Sequence, residues 1–133
     1  MDRLQSKDFR NTPGRRILVI GGGTDASDAT ERYLRYCGHE VSLTKDSQRA
    51  MTEADRLKPQ VLVCDVNPKS GNDRVRAAKK IQEAHNSALV IITNYHRMEV
   101  RQRYPDLEVA DFLRKPISLR VLADAVSKVA APA

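Results

Sequence analysis

Three side chains of different chemistry fall at or beside the ends of apolar runs. Asp65 stands within Gln60–Val66 (QVLVCDV), Thr93 closes Ala88–Thr93 (ALVIIT), and Lys115 follows Val109–Leu113 (VADFL) and precedes Pro116. An aspartate can act as a nucleophile toward phosphorus and form an acyl phosphate. A lysine can neutralise phosphoryl oxygens, and a threonine hydroxyl can hydrogen-bond one of them. The same residues also permit a plain Asp65–Lys115 ion pair closing the sheet edge. A carboxylate on an apolar run is costly unless it is solvated at the tip or partnered, and both arrangements meet that condition. The residue types alone leave the two open.

A second feature lies upstream. Gly21-Gly22-Gly23 follows Arg15–Ile20 (RRILVI), and the form Gly21-x-Gly23-x-x-Ala26 fits a dinucleotide fingerprint, in which backbone amides face a pyrophosphate. That chemistry needs an acid after the second strand to hold a ribose. Asp46 is available, but it follows Lys45, and no second half or substrate domain is evident. The alternative function it suggests is a small anion- or nucleotide-binding sensor using Gly21–Gly23 and Lys115.

The elements that must position these residues alternate. RRILVI, Glu40–Thr44 (EVSLT), QVLVCDV, ALVIIT and VADFL read as strands. Between and after them, apolar residues recur at helical spacing over 25–37, then at Ala50, Met51, Ala54 and Leu57, then at Val75, Ala78 and Ile81. A fourth, weaker helix is expected over 97–104, and a fifth after Ser118 with Leu119, Leu122, Ala125, Val126 and Val129 inward. Gly38 suits the residue after the first helix. Ser47 and Ser118 are expected caps. Near-continuous Val/Ile/Leu strands between helices imply a parallel sheet covered on both faces. In a doubly wound sheet, ligand chemistry gathers beyond the carboxyl ends of the strands. Gly21–Gly23, Asp65, Thr93 and Lys115 all belong to that edge.

Composition narrows the class. The chain has 133 residues, room for one domain. Residues 1–14 are expected to be a flexible lead-in, 15–130 the domain, and 131–133 a tail. No apolar run approaches a membrane span, and no secretory h-region opens the chain. Cys37 and Cys64 make neither a disulfide framework nor a metal cluster. A cytoplasmic location is expected. The net charge is +6. The basic residues are scattered and lack interleaved aromatics, which argues for a solvated surface and against a nucleic-acid partner. His39, His85 and His96 share no ligand spacing and are expected at the surface. No Ser-His-Asp or Cys-His set suggests an enzyme.

These motifs resemble the receiver domain of bacterial two-component response regulators. The resemblance spans about Arg15 to Ala130 and rests on VLVCDV with Asp65, VIIT with Thr93, DFLRKP with Lys115-Pro116, and Gly38. It implies a flavodoxin-like (βα)5 fold with strand order 2-1-3-4-5. It implies that Asp65 is the phosphoacceptor, Thr93 the switch hydroxyl, Lys115 a phosphoryl contact with a cis bond to Pro116, and Phe112 the aromatic switch position. Implied partners are a sensor histidine kinase or a downstream effector. A homodimer through the fourth helix, fifth strand and fifth helix is also implied.

The chain departs from the pattern at its metal site. Receivers place acidic residues after the first strand, where they hold Mg²⁺ with the phosphoacceptor, and this chain has Gly21, Gly22 and Gly23. The loop Asn67-Pro68-Lys69-Ser70-Gly71 is also altered and adds a lysine. Asp25 is read as a first-turn helical residue rather than a replacement ligand. The expectation is a stand-alone, chemotaxis-type pseudo-receiver with no bound metal or cofactor, working through protein contacts, with phosphorylation weak or absent.

Overall fold

The computed structural model describes residues 14–21, 25–67 and 72–131, with only the backbone described over 25–27. The elements run β1 (Arg16–Ile20), α1 (Asp25–Tyr36), β2 (Glu40–Thr44), α2 (Ser47–Leu57), β3 (Val61–Val66), α3 (Asp73–His85), β4 (Ala88–Thr93), α4 (Arg97–Arg103), β5 (Asp111–Arg114) and α5 (Leu119–Lys128). The five strands form one parallel sheet in the order β2-β1-β3-β4-β5. This is the expected flavodoxin-like α/β architecture.

Alternation along each strand divides the core in two. Leu18, Ile20, Leu62, Cys64, Leu89 and Ile91 pack on one face with Ala54 and Leu57 of α2, Ala78 and Ile81 of α3, and Val100 of α4. Ile17, Val19, Val61, Val63, Ala88 and Val90 pack on the other with Leu34 of α1 and Leu122 and Val126 of α5. Both faces of the central strands are therefore dry, which is why these strands are continuous aliphatic runs rather than alternating ones.

The helix ends show their causes. Gly38 has φ 99° after α1, a left-handed conformation that costs an L side chain but not glycine. The Ser118 hydroxyl accepts from the Val121 amide at 3.1 Å and starts α5. At α2 the expected cap is corrected. Ser47 is the first helical residue, and Asp46, in extended conformation, caps it by accepting from the Gln48 amide at 2.8 Å. The charged acceptor one residue earlier is the better match to the helix dipole.

Two further corrections concern β5 and His39. The fifth strand begins at Asp111 rather than Val109, because its ladder with β4 starts at Val90↔Asp111. Val109 packs against the core from the preceding segment. His39 is not at the surface. It is buried at the start of β2, where its Nδ1 accepts from the Arg15 amide at 3.0 Å. With Nδ1 accepting, Nε2 carries the proton, and among the described residues it has no hydrogen-bond partner. Burial, and secondarily the Arg15 charge, hold the His39 pKa below its ordinary value of 6.5.

Candidate functional site

The register of the sheet assembles the predicted residues from distant parts of the chain. Val66 of β3 lies beside Thr93 of β4, and Thr93 beside Arg114 of β5, so Lys115 leaves the sheet next to the end of β4. The Lys115 amide donates to the Thr93 carbonyl at 2.7 Å and anchors that exit. Asp65 precedes Val66, and the Lys115 ammonium reaches back across β4. Its Nζ lies 3.0 Å from each carboxylate oxygen of Asp65. The Lys115–Pro116 peptide is cis, as expected. The pair is neither buried nor free, with side-chain exposures of 32% for Lys115 and 22% for Asp65.

Thr93 is fully buried, and its hydroxyl accepts from the Tyr95 amide at 3.0 Å. It stands at the neighbouring strand end, engaged with its own loop. Phe112 is half-buried on β5 and packs against the core face that carries α2, α3 and α4. The Arg97 guanidinium sits 5.1 Å from the centroid of its ring. Phe112 thus pairs with Ile91, lies on the strand that leads to Lys115, and is linked to α4 through Arg97.

Sequence reasoning missed Arg74. It occupies the first turn of α3, and its Nη1 donates to the Asp65 backbone carbonyl at 2.9 Å. The signal was present. A first-turn residue after the third strand falls at the carboxyl edge of a doubly wound sheet. Its companions Arg76, Lys79 and Lys80 made it look like part of a solvated basic stripe. Two cations therefore converge on one carboxylate residue. Arg114, next to Lys115 in sequence, turns away toward the Asn94 carbonyl, 3.4 Å from its Nε. Lys69 and the rest of the altered loop over 68–71 lie outside the described residues.

The β1 end is where a metal would be held. Ile20 pairs with Cys64, so Gly21 is the next residue along, level with Asp65. Gly21 is buried, and its amide donates to the Thr44 carbonyl at 3.0 Å. Gly22, Gly23, Thr24 and the Asp25 side chain lie outside the described residues. Asp28 pairs loosely with Lys45 at 3.7 Å. Mg²⁺ requires several oxygen ligands in near-octahedral array and is usually held through carboxylates. Among the described residues one carboxylate is present here, with both its oxygens bonded to Lys115. Among the described residues no group of three His, Cys, Asp or Glu side chains comes together. The described donors by themselves do not fit Mg²⁺.

Two other sequence readings are decided by the geometry. Asp46, the acid a ribose-binding reading would need, is engaged as the α2 cap. Cys64 faces away from Asp65 into the core, and burial pushes its thiol pKa up to about 12, with Asp65 raising it further and Arg74 opposing. It is a packing residue rather than a nucleophile. No described helix is long and apolar enough to cross a membrane.

Comparison with known proteins agrees with this fold. The family described as response regulator receiver domain matches residues 17–127. The chain is 32% identical over 118 residues to the transcriptional regulatory protein PrrA of Mycobacterium leprae, an alignment covering 87% of this chain and 48% of that protein. The Mycobacterium tuberculosis protein of the same name is 31% identical over the same length. The chain thus spans about half the length of the curated relatives it matches. Among solved structures, the signal receiver domain of a modulated diguanylate cyclase from Desulfovibrio desulfuricans superposes with a TM-score of 0.74 at 22% identity, covering 89% of this chain and 93% of that one. The response regulator PhyR from Brucella abortus gives 0.76 at 17% identity, covering 96% and 52%. At these identities the structural likeness speaks for the fold.

Proposed function

The chain belongs to the response regulator receiver domain family of two-component signalling, and on that premise we propose that it relays signals through protein contacts, with Mg²⁺-dependent phosphorylation of Asp65 weak or absent. Receiver domains interact with histidine kinases and effectors. In this reading residues 15–130 are the receiver unit, working in the cytoplasm. Asp65 holds the phosphoacceptor position, Lys115 the phosphoryl contact, and Thr93 and Phe112 the switch positions.

The observation that carries the proposal is the glycine at the end of β1. Gly21 stands level with Asp65, where a second carboxylate would have to stand for the pair to hold Mg²⁺. In its place the site offers fixed positive charge from Lys115 and Arg74. A divalent ion would have to displace the Lys115 ammonium and endure its repulsion. Lys115 also hydrogen-bonds both Asp65 oxygens and so lowers the nucleophilicity of the carboxylate toward phosphorus. Both effects slow phosphoryl transfer relative to a site with an acidic pair.

The output face in this reading is built by α4, β5 and α5. Met98 and Val121 are exposed there, with side-chain-bearing residues 63% and 48% accessible, beside Arg97 and Arg101. An effector, a kinase or a second copy of the chain would cover that apolar pair. The proposal is tested by treating the protein with acetyl phosphate, with and without Mg²⁺, and measuring the phosphoryl mass increment on the intact protein. Asp65→Asn serves as the blank. Little labelling, indifferent to Mg²⁺, is expected. Full labelling at submillimolar Mg²⁺ would overturn the weak-metal reading.

A further inference from the structure

We infer that the groove between α3 and the segment joining α4 to β5 docks an acidic, extended segment of a partner protein, anchored by one aliphatic side chain. This surface meets the face built by α4, β5 and α5 only at Arg103, the last residue of α4, and its use requires no chemistry at Asp65. The groove has a volume of about 250 Å³. Its apolar lining comes from Val75, Pro105 and Leu107, and its charge from Arg76, Lys79 and Arg103 against Asp106.

The walls are fixed before any partner arrives. Val75 is buried in the core, and Leu107 packs against the same cluster. The Tyr104 hydroxyl donates to Asn72 Oδ1 at 2.7 Å, tying the end of α4 to the start of α3. The Arg103 guanidinium stacks over the Tyr95 ring at 4.7 Å from its centroid. A guanidinium and an apolar base held in place lose little entropy on binding. The ion pair between Lys79 and Asp106 across the groove is loose. Lys79 and Asp106 are 3.9 Å apart and exposed, so an incoming carboxylate takes over Lys79 at small cost.

Charge selects the occupant. Arg76, Lys79 and Arg103 outnumber the carboxylates near them, Asp106 and the exposed Asp73 that pairs with Arg76 at 3.4 Å, and this balance suits an acidic segment. A second copy of a chain with net charge +6 is disfavoured for the same reason. Nucleic acid would need faces for base stacking. Tyr104 is half-buried with its hydroxyl engaged, and the Tyr95 ring is covered by Arg103.

The test is a titration of the full chain, labelled with ¹⁵N, with a synthetic peptide of glutamates and aspartates around one central leucine. The expected result is a saturable set of shifts at Asn72, Val75, Lys79, Tyr104 and Leu107. Replacing the peptide leucine by serine should weaken binding about tenfold, the effect of losing one partly buried aliphatic side chain. Arg103→Glu and, separately, Lys79→Glu should each abolish saturation while the spectrum keeps its native dispersion. Asp65→Asn should bind as the parent does, which separates this surface from the phosphoacceptor. Shifts spread over the whole basic surface, equal binding of the leucine-free peptide, a preference for a short DNA duplex, or no saturation would each overturn the inference.

Discussion

Removing the Lys115 ammonium is the most direct probe of the strand-end site. In Lys115→Met the stem is kept and the charge is lost, leaving the Asp65 carboxylate without the cation that bonds both its oxygens at 3.0 Å. The exposures of 32% and 22% place this pair between two regimes. Exposed pairs contribute about 0–1 kcal/mol, and breaking a fully buried one costs about 3–5 kcal/mol. A destabilisation of about 1–2 kcal/mol is expected, or about 3–10 °C in Tm for a domain of this size. Asp65→Asn should be destabilising too, because it leaves the lysine charge half-buried opposite an amide. The double variant should lose less than the two single losses added together, with a coupling of about 1–2 kcal/mol. Urea unfolding of the four proteins at neutral pH measures it, and repetition at high salt should reduce the coupling only partly. A coupling below about 0.3 kcal/mol would mean that the bidentate pair does not persist in solution. The account of Asp65 as occupied by Lys115 would then fall with it.

Three further predictions concern other parts of the fold. Restoring carboxylates with Gly21→Asp and Gly22→Asp should raise Mg²⁺ affinity and Asp65 labelling, followed by NMR shifts and intact mass; a folded double variant that gains neither would count against the lost-metal-site account. His39 is held neutral by burial and then by Arg15, so the unfolded chain takes up a proton near pH 6.5 before the folded chain does. Stability should be level with respect to this group above about pH 6.5 and fall as the pH drops below it; His39→Gln should flatten the slope between neutral and mildly acidic pH, and an unchanged slope would assign the acid sensitivity elsewhere. A Cβ at Gly14 would stand 2.3 Å from the Gly38 carbonyl oxygen, a backbone atom that cannot swing away, so Gly14→Ala should cost about 1–3 kcal/mol in chemical denaturation, and a neutral result would show that the two segments are not packed in solution.

Periodicity alone was enough to mark where the elements lie. Strands dry on both faces must be aliphatic throughout, and helices covering them must repeat their apolar residues at about every third or fourth position, so both patterns are written locally. β2 and β4 matched their expected limits, and α1, α2 and α4 differed by a residue or so. The edge strand β5 was displaced because a single apolar run covers both the strand and the segment packed before it. Ser47 and Asp46 are both good caps, and only the backbone conformation chose between them.

The order of Asp65, Thr93 and Lys115 along strand ends was also legible, and with it the family resemblance that implied the strand order. Their contacts were not. Asp65 and Lys115 are 50 residues apart, and the choice between an isolated carboxylate and a bidentate ion pair rests on how β3, β4 and β5 stack in register. Arg74 is nine residues from Asp65, and its sequence neighbours hid it in a basic stripe; the turn from β3 into α3 brings its guanidinium to the Asp65 carbonyl. His39 looked like a surface residue until Arg15, 24 residues away, was placed against it at the start of β2. Local composition determines which face of an element is dry, because that depends on neighbours within a few residues. Which polar groups meet at the end of the sheet depends on crossovers tens of residues long, and only the assembled sheet decides it.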